Sequence, residues 1–394
     1  MGHIRERPEG SGTWQIIYDL PRSADGKRRQ TSKTIHGTEK QAKKELVLIE
    51  QEINRGTYCE PTKENLAEYL DRWLQGYARP NVRRKTVQEY ESIIKNYIVP
   101  ELGHIPLQKF MPLHFVEYQS KMLARGRVRR EGGLKPQTVK HHYRLLHSAL
   151  NWAVEWKMIY ENPMDRVKPP TVKPFKPCTL TVRGMAQLIK FAEGTDLYMP
   201  IVIALSTGMR RGEIVALKWE HVDFDSSTIY VDQKVEQVKE GLFFGPPKSD
   251  SSERSILMPD LLTDALRKHK IEQARLRLRI GPDYQDNGLV CPTIDGRVYP
   301  PGRLSTQFSS LIRKIGAENL GVSHLRFHDC RHSMATLLES HRISTKITSQ
   351  RLGHADVAFT LRTYAHPSVE FQKEAAELID GLLQDAIREV SSGT

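Results

Sequence analysis

Four prolines and three lysines crowd into Val167-Lys168-Pro169-Pro170-Thr171-Val172-Lys173-Pro174-Phe175-Lys176-Pro177. Proline fixes φ and lacks an N–H, so this run is extended and joins neither a core helix nor an inner strand. The chain must therefore build at least one body before it and one after it. Its 394 residues suit two or three domains. With 39% hydrophobic residues there is enough apolar material for cores, which excludes wholesale disorder. No apolar run reaches the roughly 18 residues of a membrane span, and mean hydropathy is -0.51. The N-terminal Met-Gly-His-Ile-Arg-Glu-Arg has no apolar stretch behind its charges, unlike a secretory signal. The four cysteines (Cys59, Cys178, Cys291, Cys330) are scattered without a Cys-x-x-Cys pair, so neither a zinc ribbon nor a disulfide framework is expected. These features predict a soluble, intracellular, basic protein.

Charge is unevenly spread. The net charge is +12, and residues 61–174 hold 20 Lys+Arg against 11 Asp+Glu, or +9. Such clustering fits a nucleic-acid surface, where each neutralised phosphate releases counterions. On charge alone, a solvated basic surface fits equally well.

Ahead of the proline run, Gly12–Leu20 and Lys27–Ile35 read as strands around the turn Pro21-Arg22-Ser23-Ala24-Asp25-Gly26. Thr38 with Gln41 makes a capping box for a helix to about Asn54. A small sheet backed by one helix follows; its basic strand includes Arg28 and Arg29. From Thr62 to Met164 apolar residues recur at helical spacing: Leu66, Tyr69, Leu70, Trp73, Leu74; then Thr86, Tyr90, Ile93, Ile94, Tyr97, Ile98 up to Pro100, which should stop that helix. Phe115, Tyr118, Met122 and Leu123 mark a third helix. Thr138 to Val154, including Lys140, marks a fourth. Between these lies the charge run Arg125-Gly126-Arg127-Val128-Arg129-Arg130. Trp73, Trp152 and Trp156 are expected in the core.

Beyond the proline run, Thr181–Ala192 and Tyr198–Leu205 read as helices and Ser227–Asp232 as a strand. A ribbon through Phe243-Phe244 should return along Arg254–Met258 across the Gly-Pro-Pro-Lys-Ser-Asp turn, and the remainder reads as helical.

Three clusters in this last part carry chemistry. In Thr207-Gly208-Met209-Arg210-Arg211-Gly212-Glu213 a glycine ends one apolar helix and an arginine opens the next. Such an arginine can aim its donors at a phosphate, or merely pair with Glu213 at the surface. In Phe327-His328-Asp329-Cys330-Arg331-His332, residues His328 and Arg331 share a helix face. A metal held by His328, Asp329 and His332 is disfavoured by the central arginine and by the lack of a His-Glu-x-x-His pattern. The third cluster is Gln350-Arg351-Leu352-Gly353-His354 followed by Thr360-Leu361-Arg362-Thr363-Tyr364-Ala365-His366.

In this order, Thr-Gly-Met-Arg-Arg-Gly-Glu, His-Asp-Cys-Arg-His, Leu-Gly-His and Thr-Leu-x-x-Tyr-x-His, the clusters resemble the tyrosine recombinase family, the lambda-integrase-like enzymes. Lys248 sits in the basic turn where that family places its lysine. Cys330 departs from the commoner leucine and suggests sensitivity to oxidation. The resemblance implies an α+β multidomain protein: an arm-site DNA-binding domain over 1–58 with a three-stranded sheet and a helix, an all-α core-binding domain over 62–166, the linker 167–177, and a catalytic domain over 178–394. It implies Tyr364 as nucleophile, Arg210 and Arg331 as neutralisers of the phosphate, Lys248 as donor to the leaving oxygen, and His328 and His354 as phosphate or proton partners. Glu213 would orient an arginine, while His332 and His366 would be structural or supporting. No metal or other cofactor is implied. Expected DNA contacts are Arg28, Arg29, Arg125, Arg127, Arg129, Arg130, Lys140, Lys168, Lys173 and Lys176.

The implied reaction is site-specific recombination of double-stranded DNA by a homotetramer, acting on core and arm attachment sites of a mobile element or prophage. DNA-bending and directionality proteins would be its accessory partners, and the bacterial cytoplasm, at the nucleoid, its location. A resolvase-type recombinase, a type IB topoisomerase and a catalytically inactive DNA-binding regulator are the rivals. The tail from Phe371 to Ala386 has apolar residues at helical spacing and would dock either on a neighbouring subunit or on its own domain.

Overall fold

A computed structural model describes residues 2–20, 29–128, 131–173, 177–247, 253–353 and residue 379. The chain divides into two compact units, Met1–Pro174 and Phe175–Thr394. Among the described residues no helix is long and apolar enough to cross a membrane.

The first unit opens with β1 (His3–Glu6), β2 (Thr13–Leu20) and β3 (Arg29–His36), an antiparallel sheet in that order. Ile16, Tyr18 and Leu20 alternate onto its buried face and meet Ala42 and Ile49 of α1 (Glu39–Arg55). The capping box is present: the Thr38 side chain accepts from the Gln41 N–H, and Gln41 Oε1 accepts from the Thr38 N–H at 2.8 Å. Gly56 closes the helix at φ 70°, a conformation glycine adopts without strain. The connection to the helical part is clasped by Gln108. Its Nε2 donates to Glu60 O and Met158 O at 2.8 and 2.9 Å, and its Oε1 accepts from the Thr62 N–H.

Helices follow as α2 (Leu66–Trp73), α3 (Arg79–Asn81), α4 (Arg84–Ile93), α5 (Val99–Leu102), α6 (Pro112–Arg125) and α7 (Pro136–Glu155). The expected apolar faces are buried, with Leu66, Tyr69, Leu70, Trp73, Phe115, Tyr118 and Met122 in one core. Pro100, however, does not end its helix. A five-residue π turn over Ile94–Ile98 precedes α5, and the Val99 N–H reaches back to Ile94 O. The wider turn carries the helix past proline, which has no N–H to offer and whose ring would clash with a regular turn. The same device recurs at Leu74–Ala78, ahead of Pro80. Trp156 also departs from expectation: it is exposed, its ring tilted against Trp152 with centroids 5.9 Å apart, while Trp152 is half-buried against the core.

The second unit begins with α8 (Val182–Ala192) and α9 (Tyr198–Thr207), the latter buried from Met199 to Leu205. Next come α10 (Arg211–Ile214), β4 (Val222–Asp223), β5 (Thr228–Val231), β6 (Lys234–Val238), β7 (Gly241–Gly245) and β8 (Arg254–Leu257). The expected ribbon of Phe243-Phe244 with Arg254–Met258 does not form. Instead β7 pairs with β6, Val235 opposite Phe244, while β8 joins the sheet β4-β5-β8 with Ile229 opposite Ile256. The turn Lys239-Glu240 joins β6 directly to β7, and β8 pairs instead with the buried strand β5. Helices α11 (Asp260–Ile280), α12 (Pro301–Ile315), α13 (Phe327–Ser340) and α14 (Thr345–Leu352) complete the unit. α13 packs along α9, around Ile201, Phe308, Phe327 and Cys330. The tail from Phe371 to Ala386 lies outside the described residues, save position 379.

Candidate active site

Three separate segments meet at the C-terminal ends of α9 and α14. α9 stops at Gly208, where φ is 69° and ψ 17°. A side chain there would be strained, and its Cβ would lie 2.1 Å from Met334 Cε and 2.8 Å from Leu352 Cδ2. Glycine thus lets α13 and α14 close over the turn, and the next residues aim Arg210 along the same opening.

Arg210 is the N-cap of α10. Its backbone N–H and Nη1 each donate to Glu213, both at 2.9 Å, and Nη2 donates to Gly353 O at 2.9 Å. Roughly a third of its side chain, 32%, reaches solvent, whereas Glu213 is 3% exposed. Burial alone would raise the Glu213 pKa. The Arg254 charge and hydrogen bond, helped by Arg210, outweigh it and hold the carboxyl below its usual range. Arg254 donates Nη2 to Glu213 Oε2 at 2.9 Å and Nε to Arg351 O at 2.7 Å.

Arg331, on the first turns of α13, is buried. It donates Nη1 to Gly208 O at 2.6 Å and Nη2 to Leu352 O at 2.7 Å. These acceptors are backbone carbonyls, which orient the guanidinium without cancelling its charge. The Arg351 side chain, in turn, donates to Ser206 O and Leu257 O at 2.8 and 3.0 Å.

His328 lies one helix turn before Arg331, with its ring edge-on to His332 at 4.8 Å. Burial first, then the charges of His332 and Arg331, lower its pKa below the ordinary imidazole value. Its side chain is nonetheless open to solvent, which tempers the effect of burial. The direction is what the chemistry uses: a neutral ring at pH 7. Cys330 on the opposite face is fully buried, and that burial raises its thiol pKa. A shielded thiol of this kind is inert, contrary to the expected oxidation sensitivity.

The structure therefore brings together Arg210, Glu213 and Arg331, with His328 on the same helix as Arg331. Lys248, His354, His366 and Tyr364 lie outside the described residues. Sequence reading missed Arg254 and named Arg351 in the third cluster without giving it a role. The strand pattern held a signal for the first: Arg254 and Ile256 alternate onto one face of β8, and Ile256 is buried, so Arg254 points inward.

Of the expected DNA contacts, Arg125, Arg127, Lys168 and Lys173 are exposed, and Lys140 is half-buried. Arg127 Nε donates to Gly133 O at 3.0 Å, and Arg29 pairs with Glu60 at 2.6 Å. Arg28, Arg129, Arg130 and Lys176 lie outside the described residues.

Residues 179–370, which contain Arg210, Glu213, Arg254, His328, Arg331 and Arg351, match the phage integrase family. Residues 65–123 match the phage integrase N-terminal SAM-like domain. The chain belongs to the phage integrase family. As such it is a tyrosine-type site-specific recombinase, and it resembles relatives over nearly its whole length. A tyrosine recombinase XerC-like protein of Caldanaerobacter subterraneus subsp. tengcongensis is 24% identical over 397 residues, covering 95% of this chain and 97% of that one. An integrase of Streptomyces ambofaciens is 24% identical, covering 94% of each. The Tn1549 transposon integrase, solved with a circular intermediate DNA, shares the fold with a TM-score of 0.67 at 21% identity, over 80% of this chain and 99% of that one. The lambda integrase tetramer bound to a Holliday junction matches with a TM-score of 0.57 at 18% identity, over 93% of this chain and 99% of that one.

Proposed function

We propose that this recombinase is an integrase. It cuts and rejoins strands of double-stranded DNA to integrate and excise a mobile element or prophage, acting as a homotetramer that passes through a Holliday junction. The observation that carries the reading is the convergence of Arg210 and Arg331, from distant segments, on the carbonyls of Gly353 and Leu352, immediately before His354. Two guanidiniums fixed side by side suit the charge that builds on non-bridging oxygens during phosphoryl transfer.

In the first step the Tyr364 hydroxyl oxygen attacks the scissile phosphorus. A phosphotyrosyl O–P bond forms at the 3′ side and the bond to the 5′ oxygen breaks. The phenolic proton passes to an imidazole, for which a neutral His328 is in the right state, and Lys248 gives a proton to the departing 5′ oxygen. The second step reverses these moves with the 5′ hydroxyl of the partner strand. Because the covalent link retains the bond energy, no ATP is consumed.

Residues 1–58 would bind arm sites through Arg28 and Arg29; the presence of the sheet β1-β2-β3 favours an integrase over a resolvase. Residues 62–166 would grip the core site through Arg125, Arg127, Arg129, Arg130 and Lys140. Lys168, Lys173 and Lys176 of the 167–177 linker would track the phosphates, and residues 178–394 would hold the chemistry. Phosphate contacts of this number make affinity fall steeply with salt. DNA-bending and directionality proteins would act as accessory partners.

The test is a suicide DNA substrate nicked beside the cleavage point and cut from DNA flanking the source element. Wild type should trap a covalent adduct that Tyr364→Phe does not form. An adduct persisting in the variant would refute the assignment of the nucleophile. Tight binding without an adduct from wild type would favour an inactive DNA-binding regulator.

A further inference from the structure

Three successive carbonyls at the end of α14 each accept from a different arginine. Arg254 Nε donates to Arg351 O at 2.7 Å, Arg331 Nη2 to Leu352 O at 2.7 Å, and Arg210 Nη2 to Gly353 O at 2.9 Å. The three donors come from β8, α13 and the turn between α9 and α10. The last carbonyls of a helix lack partners within it and carry the negative end of its dipole, so they receive cations readily. Here they fix the point from which the chain runs into His354.

Two of these arginines are further tied through one carboxylate. Arg254 Nη2 holds Glu213 Oε2 and Arg210 Nη1 holds Glu213 Oε1, each at 2.9 Å. The result is a closed loop of hydrogen bonds, from Arg351 O through Arg254, Glu213 and Arg210 to Gly353 O. The Arg254 side chain is 3% exposed, like that of Glu213, and so is walled off from any substrate, whereas Arg210 keeps an open edge.

We infer that Arg254 is a positioning residue for the recombination chemistry. It holds the Glu213 carboxylate in the orientation that points Arg210 at the scissile phosphate, and with its other arm it fixes the residue three places before His354. This rests on the integrase reading above. Both bonds leave Arg254 from different nitrogens of one planar group, a fork that lysine cannot reproduce. Without it, Glu213 would turn wholly to Arg210 and draw that guanidinium back from the opening.

The experiment measures single-turnover cleavage of the suicide substrate by the full chain and its Arg254→Lys, Arg254→Gln and Arg210→Ala variants. Each is assayed on an ordinary scissile phosphodiester and on one with a methyl group replacing a non-bridging oxygen. The neutral methylphosphonate develops less charge and asks less of Arg210. Both Arg254 variants should lose about 100-fold in cleavage rate on the phosphodiester, the scale of one misplaced oxyanion donor. The loss on the methylphosphonate should shrink to about tenfold or less, with DNA affinity within about threefold of wild type, which locates the defect in the transition state.

Arg210→Ala should show the same dependence on substrate, and combining it with Arg254→Lys should cost no more than the worse single change. An equal loss on both substrates, or additive losses in the double variant, would reduce Arg254 to a structural role and overturn the inference. So would wild-type rates from Arg254→Gln. Tyr364→Phe run alongside separates the two claims, since an adduct in that variant removes the integrase chemistry itself.

Discussion

Gly208→Ala is the substitution whose cost can be built from the geometry. At φ 69° an L side chain carries a backbone penalty of about 1 kcal/mol or more. The new methyl would also sit 2.1 Å from Met334 Cε and 2.8 Å from Leu352 Cδ2, in a small buried cluster with Ala335. Met334 is flexible and can give way, so overpacking adds about 2 kcal/mol rather than the upper end of its range. The sum is about 3 kcal/mol, or a fall in melting temperature of roughly 6–12 °C for a unit of this size. The same shift displaces Gly208 O from Arg331 Nη1, now 2.6 Å away, so cleavage should suffer beyond the stability loss. Melting curves by circular dichroism or calorimetry give the first number and suicide-substrate cleavage gives the second. Repeating Gly208→Ala in a Met334→Ala background should leave about 1–2 kcal/mol, because the closest clash is gone while the backbone strain remains. A cost below about 1 kcal/mol in the wild-type background, or the same cost in both backgrounds, would refute this account of the turn.

Glu213→Gln should cost about 3–5 kcal/mol in chemical denaturation at pH 7, because it leaves the enclosed Arg254 cation without its carboxylate. The Glu213 pKa is held below its unfolded value, so its contribution is complete above about pH 4.3 and fades as pH falls through the folded pKa. The gap between wild type and variant should narrow in that acid window, and a gap constant down to pH 2 would contradict the assignment. In the first unit, burial lowers the His142 pKa to about 4 while its Nδ1 is bonded to the Tyr118 hydroxyl at 2.7 Å. The unfolded chain takes up that proton first, so stability present above about pH 6.5 is lost on descent to pH 4, by up to about 3 kcal/mol. Urea titrations of wild type and His142→Gln across that range should diverge in slope, and parallel curves would show that His142 does not titrate there.

Local signals in the sequence translated well. The Thr38–Gln41 capping box and the Leu66–Trp73 apolar face depend on residues a few positions apart, and both are present. Readings that depended on distant partners fared worse. Arg254–Leu257 looks like the strand that should return along nearby Phe243-Phe244, but it pairs with Thr228–Val231 further back, while Phe243-Phe244 folds locally onto Val235 and Glu236. In the site, the motifs located Arg210, Glu213 and Arg331. They could not reveal that main-chain carbonyls at 208, 351, 352 and 353 hold the guanidiniums, because any residue type supplies a carbonyl. Arg254 escaped notice for a related reason. A single arginine in a short strand beside a charged turn reads as surface, and only the burial of Ile256 on the same face argues otherwise.

The two π turns, Leu74–Ala78 and Ile94–Ile98, bear on how this helical region can change over generations. Each amounts to one residue inserted into a regular helix, and each is followed two positions on by a proline, Pro80 or Pro100. Deleting the inserted residue alone would press the proline ring onto the carbonyl four positions back, at about 3 kcal/mol or more. Losing the proline alone would leave a widened turn with nothing to require it. Insertion and proline therefore form one heritable pair at each place, and a descendant chain that drops one of them is free to keep the helix only by dropping the other.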